Sequence, residues 1–392
     1  MFNLFRRKKQ LSRPSVSAGA YVKVSKYHKP DFLLALIIFA QIIFGLIMIS
    51  SASVVVSNEL FGNNYHYVIE QIKALVVGLV GLIIIQAIPY QFWRKFALFA
   101  LIGTILLLLV PAFPEFFQGI AFSYGGAYRW IHIGPLFLQP SEIAKLTLIL
   151  YFAAWLEKKG MTIKDFAQGF VPFAILAGII GILIMKQPDL GTLTVTGGAL
   201  ISIFFAAGAS LPQMAVGLVG AGGLLWVLIQ TASYRLQRLM VFLNPSLDPK
   251  GVGYHVSQAL LAVGSGGWWG LGFGLSRQKY NYLPEVTTDS IFAVIVEELG
   301  FLRAMIIPIL ISLFAWRGFR IAKNAPDRFG RLLAVGITTW LCIQALINIS
   351  AMIGLLPLTG IPLPFISYGG SSLVVSLLGI GILLNISRQT VK

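Results

Sequence analysis

Residues 32–56 read FLLALIIFAQIIFGLIMISSASVVV, and not one of them is charged. A membrane helix needs about 20 apolar residues to cross the hydrocarbon core. A cleavable secretory signal has an apolar core of roughly 7–15 residues, so this run is far too long for one. It reads as a retained first span. The basic residues before it belong to a tail, residues 1–31, expected to lie as a solvated anchor on an anionic membrane surface.

Further along the chain, runs of the same kind recur at 73–88, 96–112, 141–156, 168–185, 191–208, 214–232, 289–316, 332–353 and 370–386. The eighth is too long for one straight crossing and reads as a short surface helix joined to a span. The expected fold is therefore all-α, a polytopic membrane protein with about ten transmembrane helices. Composition agrees: 57% of the 392 residues are hydrophobic, 11% are charged, and the mean hydropathy is +0.82. A soluble domain carries roughly 25% charged residues. The single cysteine, Cys342, permits no intrachain disulfide, and the four histidines are too far apart in sequence to suggest a metal site.

An even number of spans puts both termini on one side, and the basic residues say which. With the termini cytoplasmic, the inner pieces are 1–31, 89–95, 157–167, 209–213, 317–331 and 387–392, holding 20 Lys and Arg against 4 acids. The remaining charges cancel, so the whole excess of +16 falls on one face, as the positive-inside rule requires. Topology accounts for the charge, and a nucleic-acid partner loses its warrant. Outside lie 57–72, 113–140 and 233–288. The last, between spans seven and eight, holds Gly264-Ser265-Gly266-Gly267-Trp268-Trp269-Gly270 and is expected to rest on the membrane interface. The membrane domain is 32–386, followed by a cytoplasmic tail, 387–392.

No Walker A loop, no G-x-G-x-x-G and no G-x-S-x-G or H-E-x-x-H occurs. What remains are ionisable residues in costly places. Glu142 and Lys145 are three apart on one helix face, in reach of each other. They read as a self-neutralising structural pair or as part of a cavity. Lys186 and Asp189 flank Gln187-Pro188 at the outer end of span five. Asp289 follows Thr287-Thr288 and opens an apolar helix at the outer surface, where an acid is favoured by the helix dipole whatever its function. The same large loop also brings Arg235, Arg238, Lys250, Arg277 and Lys279 to that side. A carboxylate among cations at a lipid interface suits chemistry on an anionic head group; cations that merely touch lipid phosphates are the plainer reading.

Seven motifs then give a specific resemblance. Gly126-Ala127-Tyr128-Arg129-Trp130-Ile131, Gln139-Pro140-Ser141-Glu142-Ile143-Ala144-Lys145, Gln187-Pro188-Asp189-Leu190-Gly191-Thr192, Gly264-Ser265-Gly266-Gly267, Leu283-Pro284-Glu285 with Thr288-Asp289, Glu297-Glu298-Leu299-Gly300, and Pro364-Phe365-Ile366-Ser367-Tyr368-Gly369-Gly370 stand in one order. The chain resembles the SEDS proteins (shape, elongation, division and sporulation) from about residue 30 to its end. The resemblance implies a peptidoglycan glycosyltransferase of the bacterial cytoplasmic membrane that polymerises lipid II on the extracytoplasmic side. Its implied partners are a class B penicillin-binding protein, other division or elongation complex proteins and membrane lipids. Gln278-Lys279 before Tyr282-Leu283-Pro284-Glu285 and the basic tail look FtsW-like, for cell division, with RodA-like elongation as the close alternative.

By the same resemblance Asp289 is the catalytic base. Arg129, Lys145, Arg277 and Lys279, in that order, would stabilise departing pyrophosphate, and Glu142, Asp189, Glu285 and Ser367 would shape the substrate cavity. No cofactor is expected; a divalent cation could assist pyrophosphate departure, but nothing in the sequence specifies one. The family often has His where Thr287 stands and Phe where Ser290 stands, and small residues where Arg303 intrudes. On an ideal helix Arg303 lies roughly 21 Å beyond Asp289, with no evident partner. A lipid II flippase and a scaffold that only recruits the transpeptidase remain the rival classes.

Overall fold

The computed structural model describes residues 28–390 other than 125 and 135; the basic tail therefore lies almost wholly outside the described residues. Fourteen α-helices and one small sheet make up the described chain. They are α1 Phe32–Ala52, α2 Val54–Phe61, α3 His66–Ala87, α4 Tyr90–Ala112, β1 Ala121–Tyr124, β2 Ala127–Ile133, β3 Leu136–Leu138, α5 Pro140–Lys159, α6 Val171–Met185 and α7 Leu190–Ala206. Then follow α8 Leu211–Gln230, α9 Ser233–Leu243, α10 Val252–Gly266, α11 Ile291–Ala304, α12 Ile306–Lys323, α13 Arg328–Met352 and α14 Gly370–Ser387.

Seven of the helical stretches, α6 with the turn before it among them, are long and apolar enough to cross a membrane, and α11 with α12 makes an eighth candidate, bent by 67°. The molecule is a multi-pass membrane protein. The helices α13 and α14 are 72% and 78% buried along their apolar windows, whereas α3 and α8 are 11% and 6% buried. The core therefore sits around α13 and α14, and the outer helices offer most of their apolar surface to lipid. The strictly all-α expectation needs one correction. Segment 113–140 holds three antiparallel strands in the order β1-β2-β3, with Ala121 opposite Ile131 and Ile131 opposite Leu138. Its strands are short, and their alternation is lost among bulky apolar residues.

The run at 289–316 divides into two helices, α11 and α12, as its length suggests, although α11 is buried rather than on the surface. Gly300 adopts φ 78 and ψ 168, a conformation essentially confined to glycine, and a 67° bend separates α11 from α12 across Met305. A broken helix in an apolar setting must satisfy its freed backbone groups elsewhere. Here the glycine-rich segment after α10 does so. The N–H groups of Leu271 and Gly272 donate to the carbonyls of Glu297 and Glu298 (both 2.9 Å), and those of Phe301 and Leu302 donate to Gly267 and Trp268 (2.9 and 3.3 Å). The break also re-aims Arg303. Its side chain is exposed, and its guanidinium donates to the Trp269 carbonyl at 3.4 Å.

One end of the bundle is closed by both ends of the described chain. The His28 N–H donates to the Arg388 carbonyl (3.0 Å), the Asp31 N–H to Ser387 Oγ (3.0 Å), and the Arg317 guanidinium pairs with the Asp31 carboxylate. At the other end of α1, Ser51 Oγ donates to Glu298 (2.7 Å). The loop carrying Asp289 thus lies at the end opposite the termini.

Candidate active site

Asp289 sits in a tight turn, 283–290, between the glycine-rich segment and α11. The Glu285 carbonyl accepts the N–H groups of Thr288 and Ser290 (both 3.2 Å), and Glu285 itself has φ 52. Thr288 Oγ1 donates to Glu285 Oε2 (2.8 Å) and lies 3.4 Å from Asp289 Oδ1. From outside the turn, Tyr368 N–H donates to the Thr287 carbonyl (2.8 Å), and the Asn348 amide donates to the Asp289 carbonyl (2.8 Å). Ser290, not Asp289, is the residue at the helix cap. Asp289 is thereby relieved of the plain capping role that its sequence position suggests.

The side chain of Asp289 is only 7% exposed. Burial, and then repulsion from Glu285, push its carboxyl up to about 7, with Arg238 pulling the other way. Arg238, on α9, donates to the Leu358 carbonyl at 3.4 Å. Arg129, Asp289 and Asp189 all lie within its electrostatic reach. Behind them, Ser290 Oγ lies 2.6 Å from His255 Nε2 on α10. Burial first, and Arg238 second, lower the imidazole to about 4.

The other expected site residues divide. Arg129 reaches across from β2 and donates to the carbonyls of Gln187 (3.0 Å) and Pro188 (2.6 Å), so it also braces the strained turn at Pro188, φ 27. Asp189 caps α7 by accepting the Thr192 N–H (2.9 Å). Lys145 is 1% exposed; its ammonium donates to Glu142 (2.7 Å) and to Gln344 Oε1 (2.7 Å) and lies 5.3 Å from the Trp340 ring centroid. Lys279 is likewise enclosed, donating to Glu298 (3.2 Å), Ser51 Oγ (3.4 Å) and the Gly274 carbonyl (2.5 Å). Arg277 is exposed, and its backbone N–H donates to Glu297 (2.9 Å). Ser367 is buried in the turn before α14, its hydroxyl accepting the Leu363 N–H at 2.8 Å.

The structure thus brings Asp289, Glu285, Asp189 and Arg129 together and leaves Lys145 and Lys279 committed to buried carboxylates. Sequence reasoning named Arg238 only as one loop cation among several, and passed over His255 and Asn348. Asn348 carries a signal that could have been read: an amide within an apolar span needs a purpose. Among the described residues, no three His, Cys, Asp or Glu side chains converge so as to hold a metal ion. Along the membrane flank, between α4, α5 and α14, runs a groove of about 440 Å³ lined by Trp93, Phe96, Phe99, Leu146, Leu150 and Leu378 among others.

Fold and site together define a multi-pass membrane protein with a buried carboxylate near an arginine at one end of its helical bundle. Residues 31–392 match the model of the "Cell cycle protein" family of FtsW, RodA and SpoVE, and the chain belongs to that family. It is 41% identical over 367 residues to stage V sporulation protein E of Bacillus subtilis, covering 93% of this chain and 99% of that protein. It is 40% identical over 369 residues to a probable peptidoglycan glycosyltransferase FtsW of Geobacter metallireducens, covering 94% and 97%. Among solved structures it resembles a chain from a study of polymerization and crosslinking by a peptidoglycan synthase complex (TM-score 0.76, 26% identity, 92% and 98% covered). It also resembles the Thermus thermophilus rod shape determining protein RodA (TM-score 0.66, 26% identity, 93% and 98% covered).

Proposed function

We infer that this chain is a peptidoglycan glycosyltransferase that polymerises lipid II for septal wall synthesis, with Asp289 as the base. The observation that carries the reading is the enclosed Asp289 carboxyl, held up to about 7 within electrostatic reach of Arg238, which in turn feels Arg129. A sugar hydroxyl is a poor nucleophile until a positioned base takes its proton, and a base works best with a pKa near the working pH. In the reaction the 4-hydroxyl oxygen of one lipid-linked disaccharide attacks the anomeric carbon of another. Asp289 accepts the proton as the new glycosidic bond forms. The bond from the anomeric carbon to pyrophosphate breaks, and undecaprenyl pyrophosphate leaves with the electron pair. Arg238 and Arg129 supply preorganised positive charge for that leaving group, in place of the enclosed Lys145 and Lys279. The apolar groove on the membrane flank suits a polyprenyl tail.

Ten crossings with both termini cytoplasmic are supported by α5 and α7. Each matches an expected span, although the first carries the Glu142–Lys145 pair and the second has only 17 residues. The hydrogen bonds between the two chain ends and the gathering of basic residues in the inner pieces support the same arrangement, with Asp289 outside. A class B penicillin-binding protein is the expected crosslinking partner, in keeping with the likeness to a component of a synthase complex. The test is purified protein with fluorescent lipid II and no other polymerase. Glycan ladders are expected; lipid movement across vesicles without polymer would overturn the enzyme in favour of a transporter.

A further inference from the structure

Trp340, Gln344 and Asn348 follow one another at four-residue intervals on α13, and all are buried. That spacing stacks them along one face of the helix. The Trp340 indole N–H donates to Gln344 Oε1 (3.0 Å), the same oxygen that accepts from Lys145. Gln344 Nε2 donates to the Pro362 carbonyl (3.0 Å). One turn further on, Asn348 Nδ2 divides its two hydrogens between the Asp289 and Ile361 carbonyls, both at 2.8 Å. Both partners can only accept, so the amide nitrogen must face them. Asn348 Oδ1 has no partner among the described residues. An unpaired buried acceptor is unfavourable, and an apolar side chain would avoid it. The worth of this amide therefore lies in its two donors.

Resting on Asp289 as the base, we infer that Asn348 is a positioning residue for the glycosyl transfer, fastening the Asp289 backbone to segment 361–362. That segment is held in turn by Gln344 and, through it, by the buried Lys145–Glu142 pair. The arrangement gives the ion pair a task without contact to substrate: it orients the amide that fixes Pro362, next to Ile361, whose carbonyl accepts from Asn348 as that of Asp289 does. A charged pair in the bundle interior is costly unless it is fully engaged. Here Glu142 Oε2 has no partner among the described residues, and Lys145 passes the hydrogen bonding of the pair on to Gln344, toward the site.

The test uses the full chain, purified, with fluorescent lipid II across a range of pH. Misplacing a reacting group by about 1 Å can cost on the order of 100-fold, so Asn348→Ala should lower kcat by about 10- to 100-fold with KM nearly unchanged. The pH midpoint should also move downward, because a carboxyl freed from burial regains its ordinary acidity. A folded Asn348→Ala protein with wild-type kcat and midpoint overturns the inference, even if its Tm falls. Asn348→Leu keeps the branched shape and loses both donors, and stands in with the same expected and contrary results should the alanine variant fail to fold. Asp289→Asn, run beside them, separates the two levels. If it polymerises normally, the base assignment fails. If it is inactive while the Asn348 variants are normal, only the positioning role fails.

Discussion

Burial and Glu285 push the Asp289 carboxyl up to about 7, and this sets the expected pH behaviour. A base must be deprotonated to act, so polymerisation should rise with pH through about 7. Arg238 opposes the upward shift. Arg238→Gln should therefore move the midpoint to higher pH, as well as slowing the step by removing charge from the leaving group. An unmoved midpoint in the Arg238→Gln pH–rate profile would count against the pairing. His255, lowered to about 4, stays neutral across this window, so its contact with Ser290 does not confuse the reading. The stability sign runs the opposite way to activity. The folded protein holds the Asp289 proton more tightly than the unfolded chain does, so stability falls as pH rises from the ordinary carboxylate range through about 7. A site built for turnover accepts that loss.

Gly300 and Gly270 decide whether the site's supporting element forms. A Cβ at Gly300 would meet the backbone of Trp269 and Gly270 while φ stays at 78. Strain of that kind costs on the order of 1–3 kcal/mol by itself, before any of the four backbone hydrogen bonds across the break is lost. Gly300→Ala should thus lower Tm and loosen residues 267–302, which hydrogen exchange would report as faster opening there than in α13. Unchanged exchange would mean that the break is not held by the glycine segment. The spans were legible because about 20 uncharged apolar residues leave few alternatives. The break was not. Gly264 to Gly274 read as loop, and nothing in sequence says that the N–H groups of Leu271 and Gly272 serve the carbonyls of Glu297 and Glu298 in α11. Arg303 looked stranded for the same reason, being measured along a helix that does not continue.

Across the whole molecule, the two ends of the described chain meet at one end of the bundle and the Asp289 turn closes the other, with α13 running between them. Asp327 caps α13 at its start by accepting the Gly330 N–H (2.7 Å), and Asn348 holds Asp289 near its finish. The small sheet adds Arg129 from the side, bracing Gln187 and Pro188 just before the Asp189 cap of α7. Of the site, Asp289, Glu285, Asp189 and Arg129 could be gathered from motifs in the chain. Arg238 and His255 could not, because α9 and α10 converge there only through tertiary packing, and Asn348 showed only as an amide within an apolar span. Polymerisation by purified Asp289→Asn protein, with Tm as the folding control, tests the account most directly. Asn is nearly isosteric and cannot take the proton, so the predicted result is a folded protein slowed by about 10²–10⁴-fold. Wild-type glycan ladders from a well-folded Asp289→Asn protein would contradict it.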